Sequence, residues 1–372
     1  MPDSPNLPPA ELPPPAADPR WRRAVRRRLA AWYATHARDL PWRRSRDPYR
    51  VWLSETMLQQ TQVATVEGYF ARFLERFPDI AALASAKEED VLRVWEGLGY
   101  YRRARQLHAA ARLLVDEYHG AFPRTVEGWR RLPGVGRYTA GAVVSIAFAR
   151  PAPILEANTA RLFSRLVAFE GETSSADGER LLWSLAAALV PRKEPGVFNQ
   201  AAMELGGQVC RSRLPQCVDC PLEDLCAARR RGRTETIPRP KRRPAIEQRY
   251  EAALLVRRQG RVLLVRIPEG RRWAGLWDFP RFQLAGRAAE DPAAALAAEI
   301  EALNGMAVRV EGHLLRLRHA VTRYRITLDC FAAKFLGNGG TPAAAPEVRW
   351  IRPAELDRYP LSTTGRRLAR LV

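Results

Sequence analysis

Four of the five cysteines in this 372-residue chain fall in one short stretch, Cys210-x6-Cys217-x2-Cys220-x5-Cys226. A reducing interior argues against a disulfide framework, and small secreted folds do not gather their thiols into one tight group of a long chain, so metal ligation is the chemistry left. Zinc sites usually pair two close-spaced knuckles across a longer insert, whereas this loop holds a single C-x-x-C. An all-thiolate set in one loop, with Pro221 directly after Cys220, also suits an iron-sulfur cluster. On spacing alone cluster and zinc stand level. Cys330 lies in an apolar, strand-like run and reads as a buried free thiol.

A second chemical signal is LPGVGRYTAGAVVSIAF, Leu132 to Phe148. Gly134 and Gly136 sit in a short turn that leads into an apolar helix. Glycines there let backbone N–H groups approach a phosphate, and the helix N-terminus favours its negative charge. Glycine turns also serve packing alone. In a basic chain without a nucleotide-binding P-loop, the turn reads as a helix-hairpin-helix that grips a DNA backbone without reading sequence. The chain is basic: 60 Lys+Arg against 40 Asp+Glu, a net charge of +20, which calls for an acidic partner, nucleic acid first. Only four of the basic residues are lysines. A coding bias accounts for the choice of Arg over Lys better than for the excess of positive charge.

These residues need elements to hold them. The length and an apolar content of 47% suit two packed domains. Residues 1–19 carry eight prolines and read as a disordered tail, not a signal peptide. No run approaches eighteen apolar residues, so no membrane is expected and the setting is cytoplasmic. From residue 20 to 226 the period is helical. Val66, Tyr69, Phe70, Phe73, Leu74 and Phe77 share one face, Ser85 with Glu88 suggests a capping box, and Gly120 closes a helix that begins near Tyr100. Residues 227–249 are rich in arginine and proline and read as a basic linker lying on phosphates. From 250 to 372 the period changes: two strands around Gln259-Gly260, a helix through AAALAAEIEALNG, then further strands. The expected architecture is an all-α domain followed by a smaller α+β domain.

The motifs VWLSETMLQQTQVATV, GLGYYRRARQLH, LPGVGRYTAGA, FNQAAMELGGQVC and the four-cysteine loop occur in the order in which they appear in the adenine DNA glycosylases of the MutY type, which this chain resembles. The glycines and cysteines are common to the wider helix-hairpin-helix glycosylase superfamily. MLQQTQV and GLGYY are more specific. The resemblance implies a [4Fe-4S] cluster on Cys210, Cys217, Cys220 and Cys226, with Arg211 and Arg213 near the DNA backbone. It implies excision, by a monomeric nucleoid-associated enzyme, of adenine mispaired with 8-oxoguanine or guanine in duplex DNA. It makes Glu55 the acid that protonates the leaving base; a first-turn glutamate facing a helix dipole is the structural alternative. Tyr138 stands where lyase-competent relatives carry lysine, so no Schiff base can form and the enzyme would be monofunctional. Glu156 and Ala157 replace an aspartate and glycine of the family. Glu156 would then face the sugar cation, with Asn158 supporting it or, structurally, capping a helix. Gln59, Gln60 and Tyr100 match residues that wedge into the duplex once the base is flipped; for the glycine-flanked Tyr100 a place in the core is the structural alternative.

The C-terminal domain resembles a Nudix-like module that senses oxoguanine, through WAGLWDFPRF (Trp273 to Phe282). Its helix offers only Glu299 and Glu301 for magnesium, too few for pyrophosphohydrolase chemistry. Where the family presents Phe-Ser-His towards oxoguanine, this chain has Val321, Thr322 and Arg323, so Thr322 and Arg323 are the expected contacts. The alternatives are a related glycosylase/lyase, a mismatch glycosylase for another base, and a DNA-binding protein without catalysis.

Overall fold

The computed structural model describes residues 10–240, 245–284, 292–340, 342–343 and 345–372. The chain divides into two compact units, one of residues 1–84 and 109–242, the other of residues 85–108 and 243–372. The boundaries therefore differ from those expected, because a segment of helical sequence packs with the C-terminal residues.

In the first unit, helix α1 (Pro19–His36) is capped by Asp18. The stretch before it is not a loose tail: Leu12 packs on the core, Ala16 is fully buried, and the Ala10 N–H bonds Ser184 Oγ at 2.9 Å. The rest of the expected tail, residues 1–9, lies outside the described residues. There follow α2 (Pro48–Leu58), α3 (Val63–Arg76) and α4 (Ile80–Ser85). On α3, Val66, Phe70 and Phe73 are buried, with Phe77 just beyond, which is the i, i+4, i+7 stripe of a core-facing helix.

After α5 (Glu88–Trp95) and α6 (Arg102–Asp116), which carry the boundary at His108, come α7 (Val126–Arg130), α8 (Arg137–Ala147) and α9 (Ala157–Leu166). Then follow α10 (Ala176–Leu189), α11 (Pro195–Gln208) and α12 (Ala227–Arg230). The start of α5 differs from the one expected: Ser85 ends α4, and the N-cap of α5 is Lys87, whose side chain makes no capping bond. The expected linker also begins later than residue 227. Ala227, Ala228 and Ile237 are buried against Ala168, and the Ile237 carbonyl accepts from Arg165 Nε at 2.9 Å. Residues 241–244 of that linker lie outside the described residues.

In the second unit, β1 (Glu247–Arg258) and β2 (Arg261–Arg266) form a hairpin on Gln259-Gly260. Both turn residues have positive φ, the conformation a two-residue hairpin needs and glycine supplies freely. With β3 (Trp277–Asp278), β5 (Met306–Val321) and β6 (Tyr324–Asn338) the order is β3-β2-β1-β6-β5, β4 (Arg281–Leu284) pairing with β1 and β7 (Val348–Ile351) with β2.

Alternation along β1 buries both faces. Ala252, Leu254 and Val256 meet α13 (Pro292–Asn304), while Ala253 and Leu255 pack with Leu328, Cys330 and Leu368 of α14 (Thr363–Ala369). Cys330 is fully buried and free, as its apolar surroundings suggest. Among the described residues no helix is long and apolar enough to cross a membrane.

Candidate active site

Helix α2 starts at Pro48 behind an Asp47 cap and is buried along most of its length, so Glu55 is carried inward between Trp52, Leu53 and Met57 and is only 5% exposed. Burial pushes its carboxyl up to about 7; the Tyr138 hydroxyl partly opposes this, the charge of Glu156 adds to it, and Arg43 opposes it. Tyr138 comes from the first turn of α8 and donates to Glu55 Oε2 at 2.5 Å, with Met203 Sδ at 3.2 Å from the same hydroxyl. Burial and the two carboxylates hold the phenol well above its ordinary range. Exclusion of water raises the carboxyl and the hydroxyl donor limits the rise, the balance that places an acid's pKa near neutrality.

Glu156, not Asn158, is the N-cap of α9. Its Oε2 and Oε1 accept from the Asn158 and Thr159 N–H groups, both at 2.8 Å, and Thr159 Oγ1 accepts from the Glu156 N–H at 2.9 Å. The longer side chain thus folds back on its own helix, while burial raises its pKa against those bonds. Asn158, in the first turn, turns its Oδ1 to Arg161 Nη2 at 2.9 Å. Close packing fixes this turn: a Cβ on Gly206 of α11 would lie 2.8 Å from the Asn158 carbonyl oxygen and 2.9 Å from its Cβ.

Gln59 ends α2 and reaches Thr139 Oγ1 at 3.3 Å, and the exposed Gln60 beside it has φ 58°. Gly134, at φ 74°, turns the chain between α7 and α8, and Gly136 is the N-cap of α8 with no side chain over it. Both glycines are exposed. The first unit therefore gathers Glu55, Tyr138, Gln59, Glu156 and Asn158, with the hairpin glycines one turn before Tyr138.

Cys210, Cys217, Cys220 and Cys226 line one cavity together with Arg165, Leu162 and Val209. Burial pushes the Cys220 thiol up to about 12, with Cys210, Cys226 and Cys217 adding to the shift. Among the described residues no three His, Cys, Asp or Glu side chains group as a metal-ion site would; the four thiols surround a space. Two arginines that sequence reading missed tie this loop down. Arg165, 2% exposed, donates from Nη1 to Cys210 Sγ at 3.2 Å and to the Arg211 carbonyl at 2.7 Å. Arg161 donates to the Cys210 carbonyl at 2.8 Å, the Gly206 carbonyl at 2.7 Å and Asn158. Their spacing on α9 was readable as one helix face, but their partners are distant in sequence. Glu204, equally unforeseen, is fully buried. Burial would raise its pKa, yet Arg38 at 2.6 Å and Arg43 at 2.7 Å pull it down to about 2.

The second unit holds the remaining candidates. Tyr100 has φ 48° and is 47% exposed, its ring 5.4 Å from the Arg103 guanidinium. Thr322 and Arg323 form the two-residue turn between β5 and β6. Thr322, at φ 52°, donates to the Val321 carbonyl at 2.7 Å, and Arg323 reaches Tyr324 Oη at 3.2 Å. Glu299 and Glu301 are exposed on α13.

Residues 53–188 match the HhH-GPD superfamily of base excision DNA repair proteins, and residues 252–371 match the NUDIX domain. The adenine DNA glycosylase of Rattus norvegicus is 35% identical over 402 residues, covering 94% of this chain and 78% of its own length. That of Homo sapiens is 34% identical, covering 94% and 74%. Among solved structures, a thermostable thymine-DNA glycosylase superposes with a TM-score of 0.53 at 28% identity, covering 57% of this chain and 98% of its own. Relatedness along nearly the whole chain, with a buried carboxyl, its tyrosine donor and the hairpin glycines in one unit, establishes that the chain belongs to the adenine DNA glycosylases.

Proposed function

We propose that the chain hydrolyses the N-glycosidic bond of adenine opposite 8-oxoguanine in duplex DNA, without a lyase step, and that Glu55 is its acid. As an adenine DNA glycosylase it acts on DNA in base excision repair. The observation that carries the finer reading is the 2.5 Å bond from Tyr138 to a buried Glu55 whose pKa lies near 7. Protonated Glu55 donates to a ring nitrogen of adenine. The C1′–N bond then breaks with its electron pair leaving on the neutral base, and the sugar becomes an oxocarbenium ion. Glu156, anchored through two backbone N–H groups, would face that cation. The Glu55 carboxylate then takes a proton from the attacking water. Tyr138 offers no amine to trap the sugar aldehyde, which supports a monofunctional enzyme.

Cys210, Cys217, Cys220 and Cys226 would hold the [4Fe-4S] cluster. Thiols arranged around a cavity, with the Arg165 donor beside Cys210, suit a multi-atom anionic cluster better than a single zinc ion. When bound, the cluster supplies a four-point tether for the loop carrying Arg211 and Arg213, which would lie near the DNA backbone. Gly134 and Gly136 would offer backbone N–H groups to a phosphate, Gln59, Gln60 and Tyr100 would enter the duplex, and Thr322 and Arg323 would contact oxoguanine. Single-turnover release of adenine from duplexes with oxoguanine, guanine or cytosine opposite tests the assignment. Preferred release opposite oxoguanine without strand nicking is expected. Release of another base, or nicking through a borohydride-trappable adduct, would replace it.

A further inference from the structure

Glu96 follows the last residue of α5 and stands directly before Gly97-Leu98-Gly99-Tyr100-Tyr101. Positive φ at Gly97 (98°), Gly99 (72°) and Tyr100 (48°) makes this a tightly wound turn. Glycine adopts such angles freely, whereas tyrosine does so only when its surroundings hold it there. From within, Trp95 Nε1 donates to the Gly99 carbonyl at 3.1 Å. The Gly97 N–H reaches Tyr101 Oη at 3.2 Å, and Arg103 Nη2 reaches the Gly99 carbonyl at 3.2 Å.

At its start the turn is gripped by a residue 270 positions later. Arg366 of α14 forms a two-pronged pair with Glu96, Nε to Oε1 at 2.8 Å and Nη2 to Oε2 at 2.9 Å. The Leu361 N–H adds a bond to Oε2 at 3.2 Å. Arg366 is itself fixed by the Leu356 carbonyl (3.0 Å), Asp357 Oδ1 (2.9 Å) and the Tyr359 carbonyl (2.7 Å). The side chains are 17% and 11% exposed, so this is not a solvated surface pair. A forked guanidinium-carboxylate contact fixes direction as well as distance.

We propose that Arg366 is a positioning residue for base extrusion: through Glu96 it holds the 97–101 turn so that the Tyr100 ring is ready to enter the duplex. The inference rests on the reading of Tyr100 as a wedge. It gives the C-terminal residues a part in flipping that is separate from contact with the opposite base.

A double-mutant cycle in the full chain tests it, reading extrusion from 2-aminopurine fluorescence at the target position and chemistry from single-turnover adenine release. Tyr100→Ala and Arg366→Ala should each slow extrusion, by roughly tenfold for the wedge itself, a barrier change of about 1.4 kcal/mol. The double variant should be no slower than Tyr100→Ala. Arg366→Lys, which keeps the charge and loses the fork, should fall between Arg366→Ala and the parent. Multiplied defects in the double variant, or full activity of Arg366→Lys and Arg366→Ala alike, would overturn the proposal. Unchanged extrusion by Tyr100→Ala would instead remove the wedge reading, and the proposal with it.

Discussion

With Glu55 as the proposed acid, one proton couples activity and stability. The folded pKa of Glu55, about 7, lies above the ordinary 4.5 because burial disfavours the carboxylate. The stabilisation it brings is therefore fully present below about pH 4.5 and lost as the pH rises through about 7, a difference of roughly 3 kcal/mol. Glu55→Gln should retain duplex binding and lose adenine release. It should also melt higher than the parent at pH 8 and not at pH 4.5, which calorimetry at the two pH values checks. The parent's single-turnover rate should fall as pH rises above about 7, as the acid form is depleted. Beside the place proposed for it facing the sugar cation, Glu156 caps α9, which the sequence did not reveal. Glu156→Asp keeps a capping carboxylate and should retain part of the excision rate, whereas Glu156→Gln should lose excision. Loss of the cap alone is worth about 1 kcal/mol, so thermal unfolding separates the two duties. Thr322 stores strain of another kind, a β-branched side chain at φ 52°. Thr322→Gly should raise stability by about 1 kcal/mol while weakening the preference for oxoguanine over guanine.

At the level of elements, α9 and α11 are the pair on which the site depends. Gly206 lets them approach, and the Cβ of Gly206→Ala would meet backbone, not a flexible side-chain end. That substitution should destabilise the fold by about 1–3 kcal/mol and lower the excision rate more than it weakens duplex binding, because it displaces the turn bearing Asn158. Arg161 connects that turn to the cysteine loop through the Cys210 carbonyl and to α11 through the Gly206 carbonyl. Arg161→Met should reduce both excision and the iron content of purified protein, measured on the same sample. The helix faces were legible beforehand: the stripe on α3, the glycine turn before α8 and the hairpin at Gly260 follow from period and backbone freedom. The entry to α5 and the cap of α9 were not, because a Ser or Asn near a helix start competes with whichever neighbour packs better.

For the whole molecule, the charge of +20 sets how duplex affinity answers salt. With about six or more phosphate contacts, affinity should fall on the order of a thousandfold between 50 and 200 mM salt, measured by titration on undamaged duplex. A much flatter dependence would mean that the arginines serve internal pairs. Several do: Arg38 and Arg43 hold Glu204, and Arg366 holds Glu96. The division of the chain also departs from its sequence order, since residues 85–108 pack with the C-terminal residues. Composition changes mark where a period alters, but they carry no record of which surface a helix settles on.

The cysteine spacing, the hairpin glycines and the two strands around Gln259-Gly260 were determined by the sequence by itself, because each is written within a few neighbouring residues and obeys a local rule. Tertiary structure alone decided the contacts on which the proposed chemistry rests: Tyr138 meets Glu55 across 83 residues, Arg165 meets Cys210 across 45, and Arg366 meets Glu96 across 270. The physical reason is that a pKa near 7 or a forked ion pair depends on the water excluded and the partner brought close, and both are properties of packing between segments that the linear order does not join.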